Sequence, residues 1–206
     1  VNELREATHL PISGGIPQHD NVGQDEHALV SSKSPRHPTT EAFRGLRTNL
    51  QYLLNREGQN TILVSSMHPG EGKTFAATNM AALLGQAGKR TLLIDFDLHK
   101  PRAHKAFNLE RGIGLSGCLI GRSSWQDAVQ HTAIEGLDIL TSGPVPPNAS
   151  ELVLNKRAET LIAEARKAYD FVVIDTPPIL LITDALVLMK HVDRALLVAH
   201  VKRANL

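Results

Sequence analysis

The sequence has little with which to staple itself, cross a bilayer or grip nucleic acid. Its 206 residues include one cysteine, Cys118, so no internal disulfide can form, and the chain fits a reducing compartment. No apolar run exceeds five residues, whereas a membrane-spanning helix needs about 20 and a signal-peptide core roughly 7–15. The 22 basic and 21 acidic side chains leave a net charge of +1, which argues against a nucleic-acid grip spread over the whole molecule. Aromatics make up 4%, with only two tyrosines, Tyr52 and Tyr169. What remains is a soluble, cytoplasm-facing α/β domain, long enough to bury a real core.

Residues 1–38 are rich in proline, glycine, serine and histidine. Such a composition buries little apolar area, so this stretch reads as a loosely packed arm. From Thr39 the pattern changes. Phe43, Leu46, Leu50, Leu53 and Leu54 recur at helical spacing, with Thr39 or Thr40 as N-cap and Gly58 past the end. Strands are then predicted at 61–65, 91–94, 137–140, 171–174 and 195–199, and helices over 74–87, 150–168 and 184–190. The strands are continuously apolar rather than alternating, which implies burial on both faces. Strand–helix alternation of this kind gives a mostly parallel sheet with helices on both faces.

Directly after the first strand comes Ser65-Ser66-Met67-His68-Pro69-Gly70-Glu71-Gly72-Lys73-Thr74, and a helix follows. Glycines let a backbone curl and turn its N–H groups toward a phosphate, and the helix N-terminus adds a favourable dipole. Lys73 can neutralise β- and γ-phosphates, and the Thr74 hydroxyl can ligate Mg²⁺. The general pattern expects glycine where this chain has Met67. Two later strands end in acids, Asp95-Phe96-Asp97 and Asp175-Thr176-Pro177-Pro178. Ligands of open parallel sheets sit at the carboxyl ends of strands. Asp95, Asp97 and Asp175 should therefore gather beside the phosphate loop, as metal ligands or proton acceptors. Each aspartate alone could equally cap a turn.

Taken together these segments resemble the bacterial tyrosine kinases (BY-kinases), the cytoplasmic parts of polysaccharide co-polymerases. Glu41-Ala42-Phe43-Arg44-Gly45-Leu46-Arg47 resembles the family's Glu-x-x-Arg-x-x-Arg helix. Residues 69–74 resemble its phosphate loop, and Leu92-Leu93-Ile94-Asp95-Phe96-Asp97-Leu98 its second acidic motif. Pro146-Pro147-Asn148-Ala149-Ser150-Glu151-Leu152 resembles a family turn into a helix, and Val173-Ile174-Asp175-Thr176-Pro177-Pro178 its Walker B strand.

The resemblance implies a P-loop fold of MinD/ParA type and ATP-dependent phosphorylation of protein tyrosine, in control of capsule or exopolysaccharide export. Lys73, Asp95 and Asp97 would be catalytic, Asp95 foremost as base. His68, Pro69, Gly70, Glu71, Gly72, Lys73 and Thr74 would hold ATP, and Thr74 with Asp175 would hold Mg²⁺. Spacing does not say which aspartate is the base. Glu41, Arg44 and Arg47 would mediate a ring-like homo-oligomer; without the resemblance they read as a solvated, salt-bridged face. Implied too are the chain's own membrane segment, the export machinery, a cognate phosphotyrosine phosphatase and a place at the cytoplasmic face of the inner membrane. On this reading 1–38 is an arm following a membrane span. Residues 39–206 are a kinase domain without its last strand and tyrosine-rich tail.

Two rival readings stay open: a MinD/ParA-like switch ATPase, and an ATP-gated scaffold that phosphorylates nothing. His68 stands where MinD/ParA proteins carry a lysine, and His99 where the kinases usually carry arginine. The basic segment from His99 to Lys105 is either a solvated face or a docking surface for an acidic tyrosine-rich tail or a phosphotyrosine. The ten histidines form no compact ligand set, so zinc is not expected. Cys118 and Trp125 read as packing residues, Asn148 or Ser150 as an N-cap, and Tyr52 and Tyr169 as structural.

Overall fold

The computed structural model describes residues 10–17, 29–30, 36–54 and 58–201. Helix α1 (Pro38–Leu53) leads into β1 (Thr61–Ser66), α2 (Lys73–Gln86) and β2 (Thr91–Asp95). Three short helices follow, α3 (Ala103–Ala106), α4 (Gly114–Leu119) and α5 (Trp125–Ala128), and then β3 (Gln130–His131) and β4 (Leu137–Leu140). Helices α6 (Ala149–Val153) and α7 (Lys156–Ala168), β5 (Phe171–Asp175), α8 (Asp184–Met189) and β6 (Arg194–Val198) complete the order.

The strands form one sheet in the order β3-β4-β2-β5-β1-β6. Every pairing is parallel except β3 with β4. Side chains alternate along each strand, so each central strand feeds two cores. Leu63, Leu92, Ile94, Val172 and Ile174 pack with Trp125, Leu152, Leu161 and Ile162 on one face. Ile62, Val64, Leu93 and Val173 pack with Phe43, Leu46, Met80 and Leu84 on the other. Burial on both faces is what the continuous apolar runs require, and β1 is buried at all six positions.

Several expectations need correction. Among the described residues β6 is an edge strand whose one partner is β1. Ala195 and Leu197 are exposed while Leu196 and Val198 pack inward, so this apolar run is covered on one face only. The helix predicted over 150–168 divides at Asn155, whose side chain accepts the Arg157 N–H at 3.0 Å and caps α7. Asn148 makes no capping bond and instead donates to Glu151 Oε2 at 3.2 Å, and Ser150 lies inside α6. The N-cap of α1 is His37, whose Nδ1 accepts the Thr39 N–H at 3.2 Å; Thr39 and Thr40 are buried within the first turn. Tyr52 lies off the buried stripe of α1 and is 79% exposed, so it does not pack, whereas the Tyr169 hydroxyl donates to Asp138 at 2.8 Å.

The described parts of the arm are not loose. Ser13 and Pro17 carbonyls accept bonds from Asn49 and Thr39 of α1. Val30 is buried, and its N–H reaches Asn79 Oδ1 of α2 at 2.8 Å. Ile16 and Leu29 pack against the apolar layer that holds both helices. The rest of the expected arm lies outside the described residues. Among the described residues no helix is long and apolar enough to cross a membrane.

Phe43 joins α1 to the start of α2. Its ring meets that of Phe75 edge-on, with centroids 5.6 Å apart, and it is 1% exposed. Phe43→Ala should cost about 3–5 kcal/mol in chemical denaturation; a loss near zero would show that α1 is not part of the cooperative core.

Candidate active site

Parallel strands bring their carboxyl ends to one edge of the sheet, and there β1, β5 and β2 deliver the loop and all three acids. The register sets Asp95 directly beside Asp175 on neighbouring strands. The loop leaves β1 at Ser66 and enters α2 at Lys73. Gly70 (φ +78°) and Gly72 (φ +95°) take the left-handed conformation there. A Cβ on Gly72 would meet nothing within 4 Å, so glycine is needed for its backbone freedom and not for space. Met67 adopts an ordinary negative φ, because among the described residues Asn108 is the only non-glycine with a positive one. A side chain is therefore tolerated where the general pattern has glycine.

His68, Pro69 and Gly70 form the exposed crest of the loop. Glu71 turns away from it. Its carboxylate is buried and accepts the His68 N–H at 2.7 Å, bracing the loop from inside. Its side chain thus supports the loop and does not line a phosphate cradle. Lys73 Nζ lies 2.8 Å from Asp97 Oδ2, 3.1 Å from Thr74 Oγ1 and 3.6 Å from Asp175 Oδ1. The Thr74 hydroxyl donates to Asp175 Oδ2 at 2.6 Å. Asp95 accepts the Asp97 and Ala103 N–H groups, each at 3.2 Å, and Asp97 accepts the Lys100 N–H at 2.9 Å.

This cluster sets three carboxylates against one ammonium. Burial, then repulsion from Asp175 and Asp97, drives the Asp95 pKa well above the ordinary carboxylate range. Burial also raises that of Asp175, which Lys73 only partly offsets. For Asp97 burial again works upward, but the Lys73 ammonium outweighs it and holds the pKa below the usual value. Lys73 is penalised by burial yet kept charged, its pKa raised, by Asp175 and Asp97. Asp175 Oδ1 is buried without a hydrogen-bond partner. A carboxylate oxygen with no hydrogen bond, its nearest cation the Lys73 ammonium at 3.6 Å, lies beside a threonine hydroxyl in a site with excess negative charge, which suits a small divalent cation. Among the described residues no group of three or more His, Cys, Asp or Glu could hold a metal alone. Such a cation would thus draw further ligands from a bound phosphate, which is how Mg²⁺ is usually held.

Lys73, Thr74, Asp95, Asp97 and Asp175 are thus in one place. Glu41, Arg44 and Arg47 are not: they lie on α1, where Glu41 pairs with Arg44 and Arg47 donates to the Leu83 carbonyl at the end of α2. The sequence does not single out Asp184. Its buried carboxylate lies 3.1 Å from His99 Nε2, tying the segment after β2 to the start of α8. Its signal, an acid opening a short helix, is too common to pick out.

Three comparisons bear on this arrangement. Residues 59–203 match a family described as an AAA domain. The tyrosine-protein kinase YwqD of Bacillus subtilis is 42% identical over 170 residues, covering 82% of this chain and 72% of that protein. A putative tyrosine-protein kinase in the cps region of Klebsiella pneumoniae is 39% identical over 83% of this chain, but only 24% of its own length is spanned. Among solved structures, the kinase domain of the Escherichia coli tyrosine kinase ETK superposes with a TM-score of 0.91 at 31% identity, covering 97% of this chain and 82% of that one. A more distant neighbour, MinD of Pyrococcus horikoshii complexed with Mg-ADP, has a TM-score of 0.59 at 27% identity, covering 68% of this chain and 57% of that one.

The electrostatics give a stability prediction for the protein free of nucleotide and Mg²⁺. An aspartate whose pKa rises on folding binds its proton more tightly folded than unfolded. Stability then falls as pH climbs from the ordinary carboxylate range through the raised value. Asp175→Asn cannot ionise and should melt above the parent chain at pH 7, by about 2–4 °C for each kcal/mol relieved. The gap should widen in thermal melts as pH rises above the ordinary carboxylate range. A parent chain that melts higher across that rise would refute the strain.

Proposed function

The chain belongs to the bacterial tyrosine-kinase family, and on that premise we propose that it transfers the γ-phosphoryl group of ATP to protein tyrosine. The observation that carries this is the single cluster of Lys73, Thr74, Asp175, Asp95 and Asp97 beside the glycine-bearing loop. Phosphoryl transfer asks mainly for positioning and for neutralisation of charge.

The backbone N–H groups of 70–74 and the amino end of α2 would hold the phosphates. Lys73 would swing its ammonium from Asp97 onto them. Thr74 Oγ1 and Asp175 would hold Mg²⁺. That ion, when bound, supplies charge neutralisation at the phosphates. Asp95 would take the tyrosine proton at one of its carboxylate oxygens. Its raised pKa makes it a stronger base once deprotonated than an ordinary aspartate. The amides of Asp97 and Ala103 aim it.

The relatives' names support a setting for this reaction. A cps-region kinase among them supports a role in capsule or exopolysaccharide synthesis and export. In that role the domain would work at the cytoplasmic face of a membrane and would be reset by a phosphotyrosine phosphatase. Self-assembly through α1 is part of the same proposal. Glu41 and Arg44 point outward as a pair, while Arg47 is half-buried against α2. Arg44 is therefore the residue whose change reports assembly without disturbing the fold.

Incubation with γ-labelled ATP and Mg²⁺ should place label on protein tyrosine. Lys73→Met or Asp95→Asn should lower the rate by about 10²–10³-fold or more. Free phosphate with no labelled tyrosine would instead make the chain a switch ATPase. Arg44→Glu should lower the mass seen by light scattering at a concentration where the parent chain assembles; an unchanged mass would sink the α1 interface.

A further inference from the structure

We propose that the segment following β2 is the acceptor-docking surface, and that it selects an acidic, tyrosine-bearing peptide. The proposal rests on the kinase reading and adds to it the chemical class of the substrate. Between Asp97 and Glu110 there is no acidic residue, but there are His99, Lys100, Arg102, His104 and Lys105. In a chain of net charge +1 this is a local concentration of positive charge. Lys100, Arg102 and Lys105 are exposed.

The segment is built into the site, not merely next to it. The Lys100 N–H bonds to Asp97, and the Ala103 N–H, at the start of α3, bonds to Asp95. The carboxylates expected to act on the acceptor hydroxyl therefore also fix where the surface cations stand. His99 and Asp184 then bridge from this segment to the start of α8. Just before that bridge, the loop after β5 exposes Leu180 (57%) and Leu181 (64%). The Leu180 N–H bonds to the Met67 carbonyl at 3.4 Å, so this exposed apolar pair borders the phosphate loop.

Charge gives the direction of selection. The centre of the site holds more carboxylates than cations, so it repels an acidic chain. Attraction for such a chain must come from outside the centre, and this segment supplies it. Lysine and arginine clusters are a recurrent means of reading acidic motifs in peptides. An anionic lipid surface is a different partner for the same cations. The tie to Asp95 and Asp97 favours the peptide, since a bilayer over this segment would cover the mouth of the site.

Fluorescence anisotropy with two labelled peptides, a tyrosine flanked by glutamates and the same tyrosine flanked by glutamines, tests this without requiring turnover. The whole 206-residue chain should bind the glutamate form about tenfold tighter at low salt, and the preference should shrink toward none near 0.5 M salt. Lys100→Glu with Lys105→Glu should abolish the preference, and Lys100→Arg with Lys105→Arg should keep it. If the double reversal does not fold, Lys105→Glu alone and the salt series on the parent chain read the same effect. Equal affinity for both peptides overturns the proposal. So does binding to phosphatidylserine vesicles that the reversal abolishes, when the peptides show no preference. Missing tyrosine label with intact peptide preference would count against the kinase reading and leave the docking surface standing.

Discussion

Lys73 is one ammonium facing three buried carboxylates, and the β2–β5 register makes that crowding unavoidable, because it sets Asp95 beside Asp175. Such a cluster is costly to fold around. Burial and mutual repulsion raise two of the three pKa values, and only Asp97, closest to Lys73, is held down. The cost makes sense in a site that works with a cation and a polyphosphate present, since local strain of this kind collects where function needs it.

The rest of the structure keeps the cluster in position. Two apolar layers grip the sheet, so the strand ends cannot drift relative to one another. Helix α1, through Phe43 against Phe75, steadies the turn of α2 that carries Thr74. Glu71 braces the loop from within, and the amides of Asp97, Lys100 and Ala103 spend their bonds on the acids themselves. The loops that shape the site therefore take their geometry from the groups they serve.

Much of this is legible in the residues. Each strand lies within a residue or two of where its apolar run predicts it, except the two-residue β3, which is too short to leave a pattern. Gly72, Lys73 and Thr74 declare themselves by spacing. What fails is informative. Asn155 divides a predicted helix because a side-chain cap competes with continuation, and helical spacing on either side hides the break. The 195–199 run looks buried on both faces because composition does not reveal that β6, among the described residues, lies at the sheet edge with β1 as its one neighbour.

The sequence by itself determines the parallel α/β class, the phosphate loop and the candidacy of Asp95, Asp97 and Asp175, since all of these depend on local spacing and on which residues can carry the chemistry. Tertiary structure alone decides how they differ. Asp95 is buried and hard to ionise, Asp97 is paired and readily ionised, and Asp175 is left with an unsatisfied oxygen. Identical side chains acquire separate properties only through the distances and burial set by strands far apart in the chain.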